Sequence, residues 1–559
     1  MRTGVAALIL LAGLTPSQVP PLQTPAMPRP AARDAVPEKK GTAIIKGHVR
    51  TSDGLVLRRA QITVRGAALS NPRDASTGLE GEYEIGELPA GRYTITVTRS
   101  GFLPAQYGQR KYGEQGKPLE VADGATLDAI DFTLERAGVI SGRVTDETGE
   151  PVGNAAIYSM RSQFYRGRRQ LVPIIGGNVH ATTDESGMFR LASVPPGEYV
   201  ILATFRETWT SDDKDRHTLG YAPSYYPGTA RVADAQRIKV AAAQEATGID
   251  FSLVPGRTAV ISGTVTATDG APFAGASISL VTEVMGPEGG STGFAGNTRA
   301  AADGRFTLRD VSPGQYTLRA TGAVGDRGTE SASAPVIVAG TDVDVTLAAD
   351  GGGLLAGRVI TDTGDALPSP APRVTTQSPI FDQRTTPLPA GEDGLVREGG
   401  RFARRTISGP ALVRIGGLPS GWALKRVTLG DRDVTDAPVD IRAGQTLADV
   451  TLIVSNRLPS LSGTVTDAAG RPADTPVVLF PADAARWLEG SGALRSARPD
   501  QSGRYRFDTV RPGEYLVIAI AQMEPWQVND PEFLEPLRAR ATKVSIADAA
   551  ATIDLKVMR

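Results

Sequence analysis

The chain has 559 residues, and its 60 basic against 61 acidic side chains leave no net field, which argues against nucleic acid as a partner. Its 63 glycines and 40 prolines exceed the usual share but stay below the level of low-complexity disorder, and apolar residues at 40% can fill several small cores. The absence of cysteine excludes disulfides and a lipid-acceptor cysteine at a mature N-terminus.

At the start, Arg2 precedes an apolar stretch from Val5 to Leu14, which has the length of a signal peptide and is too short to span a bilayer. Residues 1–20 are therefore expected to be a signal peptide. Residues 21–43 form a Pro-rich linker, part of a run with seven prolines between Pro16 and Pro37. The expected location is exported, periplasmic or extracellular. No later stretch approaches the roughly 18 apolar residues of a membrane helix, so no membrane span is expected.

From residue 44 onward, five strand openers of one pattern follow: IIKGHV at 44–49, VISGRV at 139–144, VISGTV at 260–265, LLAGRV at 354–359 and SLSGTV at 460–465. Their glycines, Gly47, Gly142, Gly263, Gly357 and Gly463, lie about 95 to 120 residues apart. That spacing makes each unit large enough to bury its own core, as beads on a string and not as turns of a solenoid. Answering turns follow at LPAGRY (88–93), VPPGEY (194–199), VSPGQY (311–316), LPSGW (418–422) and VRPGEY (510–515).

Within each unit the apolar pattern has period two. Ile140, Gly142 and Val144 face one way, and Ser141, Arg143 and Thr145 the other. Turns rich in Asp and Gly separate the strands, because Asp caps a turn with its side chain and Gly accepts positive φ. Closing strands follow at IDFTL (130–134), IDFSL (249–253), VDVTL (343–347), DVTLIV (449–454) and IDLKV (553–557). Five or more short strands in about 90 residues predict an all-β chain, a tandem array of five antiparallel β-sandwich domains. Their expected bounds are 44–136, 137–256 with two loop insertions, 257–350, a divergent fourth at 351–456, and 457–559 with a short helical insertion.

The order SGRVTDETGEPV, TDESGMFRL, VPPGEYVI resembles the carboxypeptidase regulatory-like domain. The resemblance implies an Ig-like or transthyretin-like sandwich, grouped with carbohydrate-binding-like folds, and an extracytoplasmic setting. It implies no enzyme, since in carboxypeptidases this module is an appendage to a separate zinc catalytic domain. The repeats are also similar to collagen-adhesin B-type repeats. Their Lys-Asn bond is not expected, because Lys46 is followed at equivalent positions by Ser141, Ser262, Ala356 and Ser462.

No catalytic or metal constellation emerges from the residues. Thr51, Thr183 and Gly220 stand three places after His48, His180 and His217, so no His-x-x-Glu zinc pair forms, and His48 reads as a solvated strand residue. GGSTG around Ser291 lacks the strand-turn-helix context of a nucleophile elbow, and GGGLLAG at 351–357 opens no helix. Asp184, Asp303 and Asp500 read as turn caps. No cofactor and no metal are expected.

Tyr93, Tyr199, Tyr316 and Tyr515 each stand two places after the glycine of an answering turn, a placement that resembles the tyrosine corner of sandwich domains and assigns them a structural role. The fourth unit has Trp422 instead. The second unit's insertions, 162–180 and 206–228, concentrate aromatics and arginine. Trp209, Tyr225 and Tyr226 would form an apolar platform and Arg166, Arg168 and Arg169 a polar rim, suited to acidic sugars or carboxylates, if the two loops converge. Otherwise these loops cover their own sandwich or pack on its neighbour. In the fifth unit, residues 530–541 predict a short helix with Asp530 as N-cap and Pro536 as a limit on its length. The sequence thus favours a non-catalytic exported binding protein, with a polysaccharide or envelope protein as partner. The alternative is a passive spacer or assembly component.

Overall fold

The computed structural model describes residues 41–559 except 110, 115, 166, 174–179, 212–213, 215, 287–288, 324–328, 380–390, 501 and 558–559. The expected signal peptide and most of the Pro-rich linker lie outside the described residues, as does Arg166. The described chain is built of β-strands, with one α-helix, Pro531–Arg538.

Each opener alternates as its residues demand. In Gly138–Thr145, Ile140, Gly142 and Val144 are buried and Arg143 is exposed. The opener sits in the middle of its sheet. In the first sandwich Ala43–Thr51 pairs antiparallel with Glu82–Leu88 on one side, and parallel with Thr126–Leu127 and Phe132–Leu134 on the other. The same parallel partner, supplied by the closing segment, recurs in the other four sandwiches. The all-β sandwich expected from the sequence is therefore present, but each copy carries one parallel pairing where a wholly antiparallel one was expected. First and last strands run the same way, so the chain enters a sandwich at one end and leaves at the other.

That pairing accounts for the repeated glycine. A Cβ on Gly142 would stand 2.0 Å from the Ile249 carbonyl oxygen, and on Gly47, Gly263, Gly357 and Gly463 it would meet Ile130, Val345, Val450 and Ile553 carbonyls at 2.1, 1.9, 1.7 and 1.8 Å. Only glycine lets the closing strand come so near. On the opposite side each glycine faces an aromatic residue: Tyr83, Phe189, Phe306, Phe402 and Tyr505 in register. These rings cover the gap the missing side chain leaves. The hydroxyls of Tyr83 and Tyr505 go further, donating to the Ile130 and Ile553 carbonyls at 2.6 and 2.7 Å.

A second sheet closes each core. In the first sandwich Gln61–Gly66 pairs with Gly91–Thr98 and Arg73–Ser76, and Ile62, Val64, Ile95 and Val97 meet Ile45, Val49 and Phe132 from the opener's sheet. Five such cores are resolved, one around each opener. The fourth sandwich departs from the expected plan. The strand that pairs with its second strand, Arg373–Gln377, is Gly409–Gly416, whereas Ala423–Leu429, which follows LPSGW, joins the opener's sheet beside the closing strand. Its answering turn is thus at Gly409, and the position two places on is Ala411, so Trp422 is not the counterpart of the corner tyrosines.

The fifth sandwich carries a second apolar cluster on the outer face of its sheet. Val478, Phe480, Leu516 and Ile518 point away from the main core and are covered by Trp487, Val528 and Leu534, the last from the helix. Asp530 caps that helix, accepting from the Glu532 amide at 3.0 Å, and Pro536 lies inside its eight residues. The helix therefore lies on a face of this sheet.

Candidate functional site

The second unit's insertions are ordered by pairing. Residues Ala156–Tyr165 and Arg168–Pro173 form a hairpin that extends its sheet, with Gly167 in the left-handed region at the tip, φ 82°. The second excursion places Thr208–Thr210 and Thr218–Ala222 in a three-stranded sheet whose third member, Val254–Arg257, is the link into the third sandwich. The Thr258 amide continues this contact, donating to the Thr218 carbonyl at 2.9 Å.

The three rings expected to form a platform are not brought together. Trp209 is half-buried at the end of the second core, 4.7 Å from the Tyr221 ring. Tyr226 packs on the same core, edge-on to Phe251 at 6.1 Å. Tyr225 lies on the other face of the sheet with Met160, Val200 and Leu202, and burial raises its phenol pKa. Successive residues of an extended chain point to opposite faces, so Tyr225 and Tyr226 cannot share one surface here.

The arginines have separate partners. Arg168 donates through Nε to Gln170 at 3.1 Å. Arg169 reaches the fifth sandwich, where its Nη2 lies 2.6 Å from Asp530 and 2.8 Å from Glu532, at the start of the helix. Burial acts to lower the Arg169 pKa, but its hydrogen bonds and charge interactions with Glu532 and Asp530 outweigh that and raise it. Arg161, on the same hairpin, pairs with Glu524 at 3.1 Å, and Glu524 also accepts from the Trp526 indole at 2.7 Å.

Further charged contacts join units remote in sequence, and no spacing signal in the chain announces them. Lys117 of the first sandwich meets Asp474 of the fifth at 2.6 Å, with both side chains largely buried. Arg498, 2% exposed, lies 3.4 Å from Glu114 and 3.6 Å from Asp474. Asp436 of the fourth sandwich, 1% exposed, accepts from Arg486 and Arg511 of the fifth. The units are consequently not separate beads, since the fifth touches the first, second and fourth.

Three of the corner tyrosines are fixed by their own turns. Tyr93 and Tyr316 donate to the Pro89 and Ser312 carbonyls at 2.6 and 2.8 Å, and Tyr199 donates to the Pro195 carbonyl. Tyr515 is 1% exposed. Burial pushes the Tyr316 phenol up to about 12. The turn aspartates act as caps: Asp184 accepts from the Ser186 and Met188 amides at 2.9 Å, and these bonds, the Ser186 hydroxyl first, hold its carboxyl below the usual range. Among the described residues no three His, Cys, Asp or Glu side chains converge as a metal site. Ser291 lies in the strand Gly289–Arg299 of a hairpin, not on a strand-to-helix elbow.

No curated protein matches the chain. Among solved structures, the Bacillus anthracis TIE protein matches at 16% identity over 55% of this chain, TM-score 0.16, and the match spans only 51% of that protein. A streptococcal ancillary pilin matches at 13% identity over 55% of this chain and 98% of its own, TM-score 0.20. BcpA, the major pilin subunit of Bacillus cereus, matches at 10% identity over 55% and 99%, TM-score 0.15. The carboxypeptidase regulatory-like domain matches residues 44–135, 139–254 and 260–349, together more than half of the chain. Those segments hold the first three glycine-to-carbonyl contacts and the three turn-bonded tyrosines, and on this ground the chain belongs to the carboxypeptidase regulatory-like domain family.

Proposed function

We propose that this protein is a non-catalytic, exported assembly component in which charged contacts hold the sandwiches to one another. The observation that carries the reading is the use made of the second unit's insertions. Arg169 at the tip of one docks on the fifth sandwich, and the other pairs with the link into the third. A chain of independent spacers has no use for Lys117, Asp474 and Arg498, charges buried between units far apart in sequence, because burying charge is costly unless it is paired. Export is supported by the apolar stretch behind Arg2, and envelope residence follows from it as part of the same proposal.

The absence of native cysteines makes the test direct. Spin labels on cysteines placed at the exposed positions Glu120 and Lys543 are expected to report one narrow distance distribution, broadened when Lys117 and Arg169 are both replaced by alanine. A broad distribution in the unaltered chain would return the protein to the passive-spacer reading. Fractionation of the source cells, with N-terminal sequencing of the mature chain, tests export. Recovery of uncleaved protein in the cytoplasm would count against it.

A further inference from the structure

Between the fourth and fifth sandwiches lies a cleft of about 230 Å³, lined by Arg414, Arg495, Arg511, Tyr515, Ser491 and Leu424 among others. Arg414 Nε donates to the Gly490 carbonyl at 2.7 Å, and Nη1 donates to the Val413 and Thr435 carbonyls at 2.8 Å. Its Nη2 is buried and has no hydrogen-bond partner among the described residues; the nearer oxygen of Asp436 is 4.0 Å away. Asp436 is already engaged, since Arg511 donates to one of its oxygens at 2.6 Å and Arg486 to the other. One buried carboxylate therefore serves three guanidiniums.

Arg495 adds a further positive charge. Its Nη1 donates to the Asp508 main-chain carbonyl at 2.6 Å, while the Asp508 carboxylate is taken by Arg506. Burial, then the charge of Arg511, lowers the Arg414 pKa to about 10, against the opposing pull of Asp436, so the group stays cationic at neutral pH. A buried guanidinium that must share one carboxylate with two others, and has a donor left without a hydrogen bond, costs free energy that a further anion would offset. Carboxylate and phosphate oxygens suit guanidinium donors in geometry as well as in charge. Ligand pockets for larger molecules run from about 300 Å³ upward, so this cleft suits a single acidic group.

We propose that the cleft is a binding site for a small oxyanion, a carboxylate or phosphate group, held by the guanidiniums of Arg414, Arg495 and Arg511 that line it. The site rests on the assembly reading only in needing the fourth and fifth sandwiches packed together, and the label distance between the first and fifth tests that reading separately. The test is calorimetric titration of the full chain with inorganic phosphate and, separately, with glucuronate, at an ionic strength held constant with sodium chloride.

Saturable binding of either is expected, and which of the two binds more tightly assigns the source of the anion. Arg414→Gln is expected to weaken binding at least about tenfold, the equivalent of one charged hydrogen bond. Arg495→Gln, remote from the Asp436 cluster bonds, should weaken it severalfold while leaving the circular dichroism unchanged, and it decides the matter if Arg414→Gln fails to fold. A loss in either folded variant supports the site. Heats no larger than those of sodium chloride, or unaltered affinity in the folded variants, would overturn it.

Discussion

At the scale of single residues the repeated glycine and the repeated tyrosine carry the most testable weight. Gly263→Ala would drive a Cβ to within 1.9 Å of the Val345 carbonyl oxygen, so the closing strand must move or leave its pairing. We expect a loss of at least about 2 kcal/mol, read from denaturant unfolding of the third sandwich. Tyr316→Phe removes only the hydroxyl that donates to Ser312, at an expected cost of about 1 kcal/mol, whereas Tyr316→Ala should cost about 3 kcal/mol or more. The Tyr316 phenol ionises near 12 in the folded chain and near 10.0 as an unperturbed group. A raised folded pKa means the stabilisation is whole below pH 10.0 and lost as pH climbs toward 12, so stability should stay level up to about pH 10.0 and then fall until about pH 12. The positions four places before the turn glycine behave differently. Glu87, Ser193, Asp310 and Thr509 all adopt left-handed backbone, φ 53° to 60°, without being glycine. Asp310→Gly should accordingly be neutral or stabilising by up to about 1 kcal/mol, since it relieves the Cβ strain at an exposed site.

At the scale of elements, strands read well and their partners less well. The period-two alternation of the openers, the Asp-Gly turns and the capped helix at 530 were all legible, because each follows from local stereochemistry. The parallel pairing of opener and closer was not, because one strand's sequence does not name its neighbour. The fourth sandwich shows the same limit. LPSGW has the form of an answering turn, but the strand after it belongs to the opposite sheet, and the structural counterpart, Gly409, carries no aromatic two places on. The hairpin bearing Arg169 is the element whose role is most open to test. Arg169→Ala removes the partner of Asp530 and Glu532 at the start of the helix while the Asp530 cap remains. Amide exchange across 531–538 should then speed up by about tenfold, corresponding to one charged hydrogen bond, with the exchange of the second sandwich's core unchanged. Unaltered exchange in the helix would show that the contact contributes nothing to its stability.

At the scale of the whole molecule, autonomy and attachment have to be separated. The third sandwich has its own closed core, including Ile261, Ile278, Phe306 and Leu318. At roughly 0.05 to 0.15 kcal/mol per residue, about 90 residues should hold some 5 to 13 kcal/mol. Residues 257–350 alone are therefore expected to give dispersed amide signals and a cooperative melt. The fifth sandwich differs, because Arg498 and Asp474 are buried against the first. Cut from the chain, it would expose those charges to water, and Lys117→Ala in the intact chain would leave Asp474 beside Arg498 with less compensation. That variant should lower the melting temperature of the fifth sandwich's transition and leave the third unchanged.

The sequence by itself determined the number of units, the period-two strands, the turn chemistry and the family. These depend on short-range rules: side-chain alternation along a strand, the conformational freedom of glycine, and side-chain caps within four residues. The tertiary structure alone decided why the opener's glycine recurs, since its reason is a carbonyl oxygen some 80 to 110 residues away. It alone sent Tyr225 and Tyr226 to opposite faces and Arg169 to another unit's helix, and it alone gathered Arg414, Arg486 and Arg511 around Asp436. Charges that meet across tens to hundreds of residues leave no periodicity and no motif in the chain; their pairing is set by how the finished sandwiches pack.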